Sequence, residues 1–99
     1  MAKPIKVTIK KSTKPEKKLE AVFSLDNGRT KTVRFGQAGA PDYTKTKNKE
    51  QRSRYISRHR KNENWNSPMT AGALSRWILW EKPSRREAIQ AYKKRFNLS

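Results

Sequence analysis

Residues 47 to 61 bring together side chains of the kind that bind phosphate groups. At about 100° per residue on a helix, four basic residues of this stretch fall on one stripe: Lys47, Arg54, Arg58 and Lys61. Arginine engages two phosphate oxygens with its planar fork, and lysine supplies a mobile point charge. Solvated helix faces usually mix the signs of charge, whereas Glu50 alone interrupts this stripe. The spacing therefore predicts a helix face that binds a polyanion.

Basic residues are in large excess over the whole chain. The 99 residues hold 25 lysines and arginines against eight aspartates and glutamates, a formal charge of +17. Solubility alone needs a net charge of about 2 to 8 in a small domain, so a polyanionic partner is expected. The arginines concentrate in the part of the chain that is predicted to be helical, after residue 43. The predicted nucleic-acid-binding set is taken from that part and consists of Lys47, Arg52, Arg54, Arg58, Arg60, Lys61, Arg76, Arg85, Arg86, Lys93 and Lys94.

The lysines at the start of the chain are a weaker indication of binding. Residues 1 to 18 carry seven lysines, but edge strands also use lysine to prevent aggregation. These lysines are therefore left outside the predicted set, and either role stays open for them.

Catalytic side chains are scarce. The chain contains one histidine, His59, two aspartates, Asp26 and Asp42, and no cysteine. Asp26 belongs to a predicted hairpin turn, and Asp42 precedes a predicted helix, whose dipole favours a carboxylate. His59 falls on the same side of its predicted helix as the apolar residues Tyr55 and Ile56. This position predicts a partly buried ring with a satisfied hydrogen bond. A metal-dependent nuclease needs several carboxylates, and zinc needs more histidine or cysteine, so we predict no catalytic residue, metal or cofactor.

The chain begins with a predicted strand. Ile5, Val7 and Ile9 alternate with polar residues, which is the period of a half-buried strand with these three on one face. The following stretch breaks the alternation with Pro15 and several charges, and it is predicted to be a solvated connector.

A hairpin is predicted next, and its turn length follows from which face its apolar residues must share. A two-residue turn would split those residues between both faces of the sheet. A three-residue loop of residues 26 to 28 instead pairs Leu19 with Phe35 and Ala21 with Val33, and places all of them on one face. The last loop residue is then a glycine in the left-handed conformation.

Three helices are predicted after the sheet. The first begins between Thr44 and Asn48 and runs to about Asn62. The second has Ser67 as its N-cap and Pro68 in its first turn, where a missing N–H costs nothing. That helix is apolar nearly all round, so we expect it to be buried.

The third helix is predicted from a capping box, in which Ser84 is followed three residues later by Glu87. The order of strand, hairpin and three helices predicts an α+β fold with a three-stranded antiparallel sheet. A single domain is expected over residues 1–99, with the sheet in 1–37 and the helical part in 44–98.

The chain has the features of a soluble, intracellular protein. No apolar run approaches the roughly 20 residues needed to cross a bilayer, and the N-terminus lacks the apolar core of a secretion signal. We therefore expect no membrane partner. The oligomeric state stays open, since no heptad pattern is present.

Three stretches carry a specific combination of motifs, namely FGQAGAPDYT, RYISRHRKNENW and TAGALSRWILWEKPS. The motifs occur in this order: Asp42-Tyr43-Thr44, Arg58-His59, Glu63-Asn64-Trp65, Ala71-Gly72, Ser75-Arg76-Trp77 and Leu79-Trp80. Over residues 33 to 84 the chain resembles a family of small basic proteins of large nucleocytoplasmic DNA viruses, the giant viruses of algae and amoebae. The resemblance implies a viral, virion-packaged protein with genome compaction as its expected role, found in the virion and in the viral factory or nucleus of the infected cell. It assigns no ligand to any residue.

The functional expectation is a non-enzymatic protein that binds double-stranded DNA through its phosphates and without regard to sequence. Two alternatives stay open. One is an adaptor that uses arginine anchors on the acidic surface of nucleosomes, and the other is an RNA-binding protein. Stacking on single strands is disfavoured, because most aromatic residues have core assignments.

Overall fold

A computed structural model describes residues 3–99 of the chain. Three strands come first: β1 (Pro4–Lys11), β2 (Lys17–Leu25) and β3 (Thr30–Gln37). They form an antiparallel sheet in the order β1-β2-β3, and helices follow it. The predicted α+β class, with a three-stranded antiparallel sheet, is confirmed. No helix within residues 3–99 is both long enough and apolar enough to span a membrane.

The hairpin between β2 and β3 has the predicted register. Leu19 pairs with Phe35 and Ala21 pairs with Val33. The N–H of Leu25 donates to the carbonyl oxygen of Arg29 at 2.8 Å, which closes a loop of three residues. The last of these has φ +83°, a conformation that glycine adopts without strain. The need to share one face therefore fixed the turn length correctly.

The first strand departs from its predicted alternation at one residue. Val7 is buried and Ile9 is partly buried, but Ile5 is 53% exposed. The register shifts between Pro4 and Lys6, which turns Ile5 away from the core. The backbone of Ser99 pairs there with β1, with its N–H donating to the carbonyl oxygen of Ile5 at 3.1 Å. The backbone of Ile5 is thus paired with the end of the chain while its side chain is exposed.

The first predicted helix is divided into two. A single turn, α1 (Tyr43–Thr46), ends at Lys47, whose φ of +56° is left-handed. Asn48 then caps a second helix, α2 (Lys49–His59), by accepting the N–H of Gln51 at 3.1 Å. The helix ends at His59, three residues before the predicted end at Asn62. The left-handed conformation of Lys47 therefore separates α1 from α2.

The second predicted helix begins later than expected. Thr70, not Ser67, is the N-cap, and its hydroxyl accepts the N–H of Ala73 at 3.2 Å. The prediction of Ser67 as the cap was wrong, because the residues around Pro68 form a turn instead. One turn of α-helix, α3 (Ala71–Leu74), continues directly into a π-helix (Ser75–Leu79).

The last helix, α4 (Arg85–Arg95), begins as its capping box predicts. The Ser84 hydroxyl accepts the N–H of Glu87 at 3.3 Å. Its buried face includes Ala88 and Tyr92, and the Tyr92 hydroxyl donates to the carbonyl oxygen of Pro68 at 2.6 Å. This hydrogen bond ties α4 to the turn that precedes α3.

The core lies between one face of the sheet and the buried faces of the helices. Phe23 and Phe35 from the sheet are completely buried, as is Ile78 from the π-helix. The two layers approach closely at Gly36, which has φ +79° and where a Cβ would lie 2.8 Å from Cδ1 of Leu79. Only glycine combines that conformation with that separation. The sheet therefore packs directly on the π-helix.

Candidate nucleic-acid interface

The exposed face of α2 centres on Arg54 and Arg58, with Lys61 just after the helix. We call these three residues the α2 face. All three side chains are exposed, and within residues 3–99 none lies within 4 Å of a carboxylate. Glu50, one turn before Arg54, likewise makes no ion pair in this part of the chain. The charge of the α2 face is thus not neutralised internally.

Two members of the predicted stripe lie outside the helix. Lys47 ends α1, and Lys61 lies in the turn after His59. The helical spacing that grouped them with Arg54 and Arg58 therefore does not apply to them. Both side chains are nevertheless exposed, as is Arg60 at the end of α2.

Arg52 is held in the structure rather than offered to solvent. Its Nε donates to the carbonyl oxygen of Trp80 at 2.7 Å, and a terminal nitrogen lies 2.7 Å from Oε1 of Glu81. Its guanidinium also lies over the ring of Tyr43, 5.6 Å from the centroid. Arg52 thus ties α2 to the segment that follows the π-helix.

Arg76 is buried, with 8% of its surface exposed. A terminal nitrogen lies 2.9 Å from Oε1 of Glu81, and its guanidinium stacks over the rings of Trp77 and Trp65, 4.3 and 5.2 Å from their centroids. Burial alone would raise the pKa of Glu81, but the hydrogen bonds from Arg76 and Arg52 outweigh it and hold that pKa below its usual value. Its burial leaves Arg76 outside any exposed basic surface.

The basic residues of α4 fall into two groups. Arg86 and Lys94 are exposed and Lys93 is half-buried. Arg85 is partly engaged, because its terminal nitrogen lies 3.8 Å from Oδ2 of Asp42. Arg95 was not in the predicted binding set, and its guanidinium lies 3.6 Å from the centroid of the Trp77 ring.

The histidine has the predicted partly buried position. The ring of His59 stacks on Tyr55 at 4.2 Å between centroids, and Tyr55 stacks in turn on Trp80 at 4.5 Å. Nδ1 of His59 lies 3.4 Å from Oε2 of Glu63. Burial raises the pKa of the Tyr55 hydroxyl well above its usual value. These contacts give the ring a packing role. Within residues 3–99 no group of three histidine, cysteine, aspartate or glutamate side chains is placed to hold a metal ion.

The carboxylates are withdrawn from the surface more than the cations are. Glu20 and Asp42 are 4% and 1% exposed, and Glu63 and Glu81 are only partly exposed. Asp42 caps α1 by accepting the N–H of Thr44 at 2.9 Å and is paired with the ammonium of Lys18. Burial would raise the pKa of Asp42, but these partners outweigh it and lower that pKa. The surface is therefore more positive than the composition indicates.

Most of the cations have no internal partner. Among residues 3–99, six of the 25 lysines and arginines lie within 4 Å of a carboxylate, which leaves nineteen without an ion pair. By contrast, none of the nine aromatic residues is classed as exposed. The surface therefore offers charge to a partner rather than rings on which bases would stack.

A second basic surface lies at the opposite end of the sheet from the hairpin turn. It is a groove with a volume of about 710 Å³, between the β1–β2 connector, α1 and the start of α4. We call it the lysine groove, and its basic residues are Lys11, Lys14, Lys17, Lys18, Lys45 and Arg85. Only Arg85 belonged to the predicted set. For the four of these lysines that lie in residues 1 to 18, the sequence signal was the excess of lysine there, which strand-edge protection explains equally well. Lys45 had no signal of its own.

A comparison with protein families finds a match, which covers the sheet and α2. A family of unknown function, DUF5754, matches residues 7–59, more than half of the 99-residue chain. The chain belongs to DUF5754. The DUF5754 match runs from β1 to the end of α2 and so includes Arg54, Arg58 and the connector of the lysine groove. No curated protein and no solved structure matches the chain.

Proposed function

We propose that this protein is a non-enzymatic, sequence-independent binder of double-stranded DNA that neutralises backbone phosphates. The observation that carries the proposal is the distribution of charge. Nineteen of the 25 basic side chains have no ion pair within residues 3–99, while half of the eight carboxylates are wholly or partly buried. Such a surface repels itself until a polyanion neutralises it.

The α2 face is the proposed centre of contact. Arg54 and Arg58 stand one turn apart on α2, and their forks match the geometry of phosphate oxygens. Each phosphate that a protein neutralises releases condensed counterions, and this release drives binding whatever the base sequence. Exposed arginines without internal carboxylate partners are the groups that supply this energy at the least cost in desolvation.

The aromatic residues favour duplex over single-stranded DNA as the partner. Proteins that hold single strands stack successive bases on exposed rings. Here Trp65, Trp77 and Phe96 are the least buried rings, and all three are only partly exposed. Trp77 is covered further by Arg76 and Arg95. A contact through phosphates alone suits a duplex.

The biological setting is part of the proposal. The resemblance of residues 33 to 84 to small basic proteins of giant viruses supports genome condensation in the virion as the task, with the viral factory or nucleus as the place of assembly. The charge of +17 in 99 residues supports the same task, because compaction requires most phosphates to be neutralised.

The α2 face can be tested by replacing Arg54, Arg58 and Lys61 with glutamate. We expect Kd for a duplex of arbitrary sequence to rise at least about tenfold at fixed salt, because three phosphate contacts are lost. The matched control replaces Lys6, Arg29 and Lys31 with glutamate. These three residues are exposed near the hairpin end of the sheet. Both variants change the net charge from +17 to +11. Duplex affinity that is unchanged in the α2 variant would remove the proposal.

The partner is identified by comparing affinities at matched salt. Wild-type protein should bind duplexes of unrelated sequence equally and should bind them more tightly than RNA or histones. Tight nucleosome binding that free duplex competes with poorly, and that a single Arg58→Ala change abolishes, would favour the adaptor instead. A preference for RNA over the duplex would favour RNA as the ligand. Divalent-metal nuclease activity that is lost in Asp42→Asn would contradict the non-enzymatic assignment.

A further inference from the structure

The lysine groove is a built surface rather than a scatter of charges. Twelve residues line it, of which six are basic and none is acidic. They come from three separated parts of the chain: the β1–β2 connector with the strand ends on either side of it, the β3–α1 loop with α1, and the first residue of α4. Solvation of a strand edge does not require cations from α1 and α4 to face the same groove.

The connector between β1 and β2, which carries Lys14 and is flanked by Lys11 and Lys17, is held in one conformation by its hydrogen bonds. Glu20 Oε1 accepts both the N–H of Thr13 at 3.0 Å and its hydroxyl at 3.2 Å. The N–H of Lys17 donates to the carbonyl oxygen of Lys14 at 3.2 Å, which closes a turn between the two lysines. The N–H of Ala38 donates to the carbonyl oxygen of Glu16 at 3.0 Å, which ties the turn to the end of β3.

This ordering matters for affinity. A loop that is already fixed loses little conformational entropy when a ligand binds to it. The N–H of Thr13 also holds the pKa of Glu20 below its usual value, so the carboxylate that fixes the loop is ionised at neutral pH. The connector therefore presents Lys14 and Lys17 in a prearranged position.

Asp42 divides the basic residues of the groove into two kinds. Its buried carboxylate pairs with Lys18 and lies 3.8 Å from Arg85, so both are partly neutralised. The remaining four cations are exposed and make no ion pair within residues 3–99: Lys11, Lys14, Lys17 and Lys45. The groove thus has a net positive charge that only an external anion neutralises.

The groove and the α2 face border on one another. A second cavity, with a volume of about 410 Å³, lies between α2 and the end of the sheet. Lys17 and Lys18 line both this cavity and the lysine groove, and Arg58 of the α2 face lines the cavity on its helical side. Arg58 of the α2 face and Lys17 of the lysine groove therefore border the same cavity.

We propose that the lysine groove binds backbone phosphates and forms, together with the α2 face, one continuous footprint for a single DNA duplex. This inference rests on the proposed function, and it assigns the contact to lysines that the sequence pattern left open. In this arrangement both surfaces contact the same duplex, and one protein molecule does not bridge two duplexes.

The groove is tested with Lys14→Glu combined with Lys17→Glu. The matched control combines Lys6→Glu with Lys31→Glu, two exposed lysines near the hairpin end that line neither cavity. Both variants change the net charge from +17 to +13, so the long-range attraction to DNA is equal. We expect the groove variant to lose about two phosphate contacts, which lowers the slope of log K against log salt by about 1.8, and the control to keep nearly the full slope.

The outcomes separate this inference from the function on which it rests. Wild-type protein that fails to bind duplex DNA overturns both. Wild-type binding with equal slopes in the groove variant and the control overturns the groove alone. Far-ultraviolet circular dichroism verifies folding, and the four replaced side chains are all on the surface, so loss of fold is not expected.

A second measurement needs no variant. Acetylation of lysines with and without a bound duplex, read by mass spectrometry, should show protection of Lys14, Lys17 and Lys45 but not of Lys6 and Lys31. Equal protection of all five would overturn the groove as a specific contact. Separately labelled duplexes that wild-type monomer holds together, and that the groove variant releases, would overturn the single-duplex geometry.

Discussion

Two arginines only two residues apart on α2 have opposite surroundings. Arg52 is bound to Glu81 and to the carbonyl oxygen of Trp80, whereas Arg54 is exposed and makes no ion pair within residues 3–99. The same difference separates buried Arg76 from exposed Arg58. We call the Arg52, Arg76 and Glu81 group the interior cluster and contrast it with the α2 face.

The contrast shows that a charge count does not say which cations reach a partner. Glu81 accepts from both arginines of the interior cluster, and Trp77 covers one of them. The α2 face has neither a carboxylate nor a ring against it among the described residues. Arginine is thus structural where it meets carboxylate and aromatic groups and is available where it does not.

The largest effect on stability is expected for Arg76→Ala. The change removes a buried guanidinium from Glu81 and from the rings of Trp77 and Trp65, which should lower the free energy of unfolding by about 3 kcal/mol. Urea denaturation followed by tryptophan fluorescence measures it. The matched variant Arg54→Ala should stay within about 0.5 kcal/mol of wild type, and a loss as large as that of Arg76→Ala would contradict the contrast.

A smaller loss is expected for Arg52→Ala. This side chain is 29% exposed and Arg76 still pairs with Glu81, so the free energy of unfolding should fall by about 1 to 2 kcal/mol. The affinity for duplex DNA should change little at equal salt. A Kd that rises as much as in Arg54→Ala would place Arg52 in the interface after all.

The smallest effect is a dependence of stability on pH through Glu81. Its pKa is lowered in the folded chain, so its stabilising contribution is complete above the unfolded value of about 4.3 and is lost as pH falls through the folded value. Urea denaturation between pH 6 and pH 3 should therefore show a shallower decline in Glu81→Gln than in wild type. Identical declines would mean that the interior cluster does not depend on this charge.

Much of the sheet was predictable because two constraints coincide there. The apolar residues of the hairpin must share a face, which selects the three-residue loop, and the last residue of that loop is a glycine that adopts the required left-handed conformation. Ile5 was not predictable in this way, because a register shift between Pro4 and Lys6 turns it away from the core. Alternation reports a strand but not its neighbours.

The helical half was predictable in order but less so in detail. Lys47 adopts a left-handed conformation without glycine or proline to mark it, so the division between α1 and α2 had only Asn48 as a signal. Two features of the sequence indicate that Arg76 is buried: the apolar residues around it, and an acidic residue, Glu81, five positions later. The lysine groove depends on how the connector folds against α1 and α4, which no local pattern shows.

The exposed cations of the α2 face are proposed to bind phosphates. The most direct test of this proposal is the slope of log K against log salt for one duplex, measured between about 50 and 200 mM salt. We expect glutamate at residues 54, 58 and 61 to lower the slope by about 2.7, or about 0.9 for each lost contact, and glutamate at residues 6, 29 and 31 to leave it nearly unchanged. Equal reductions in the two variants would contradict the proposal, since binding would then follow net charge rather than this face.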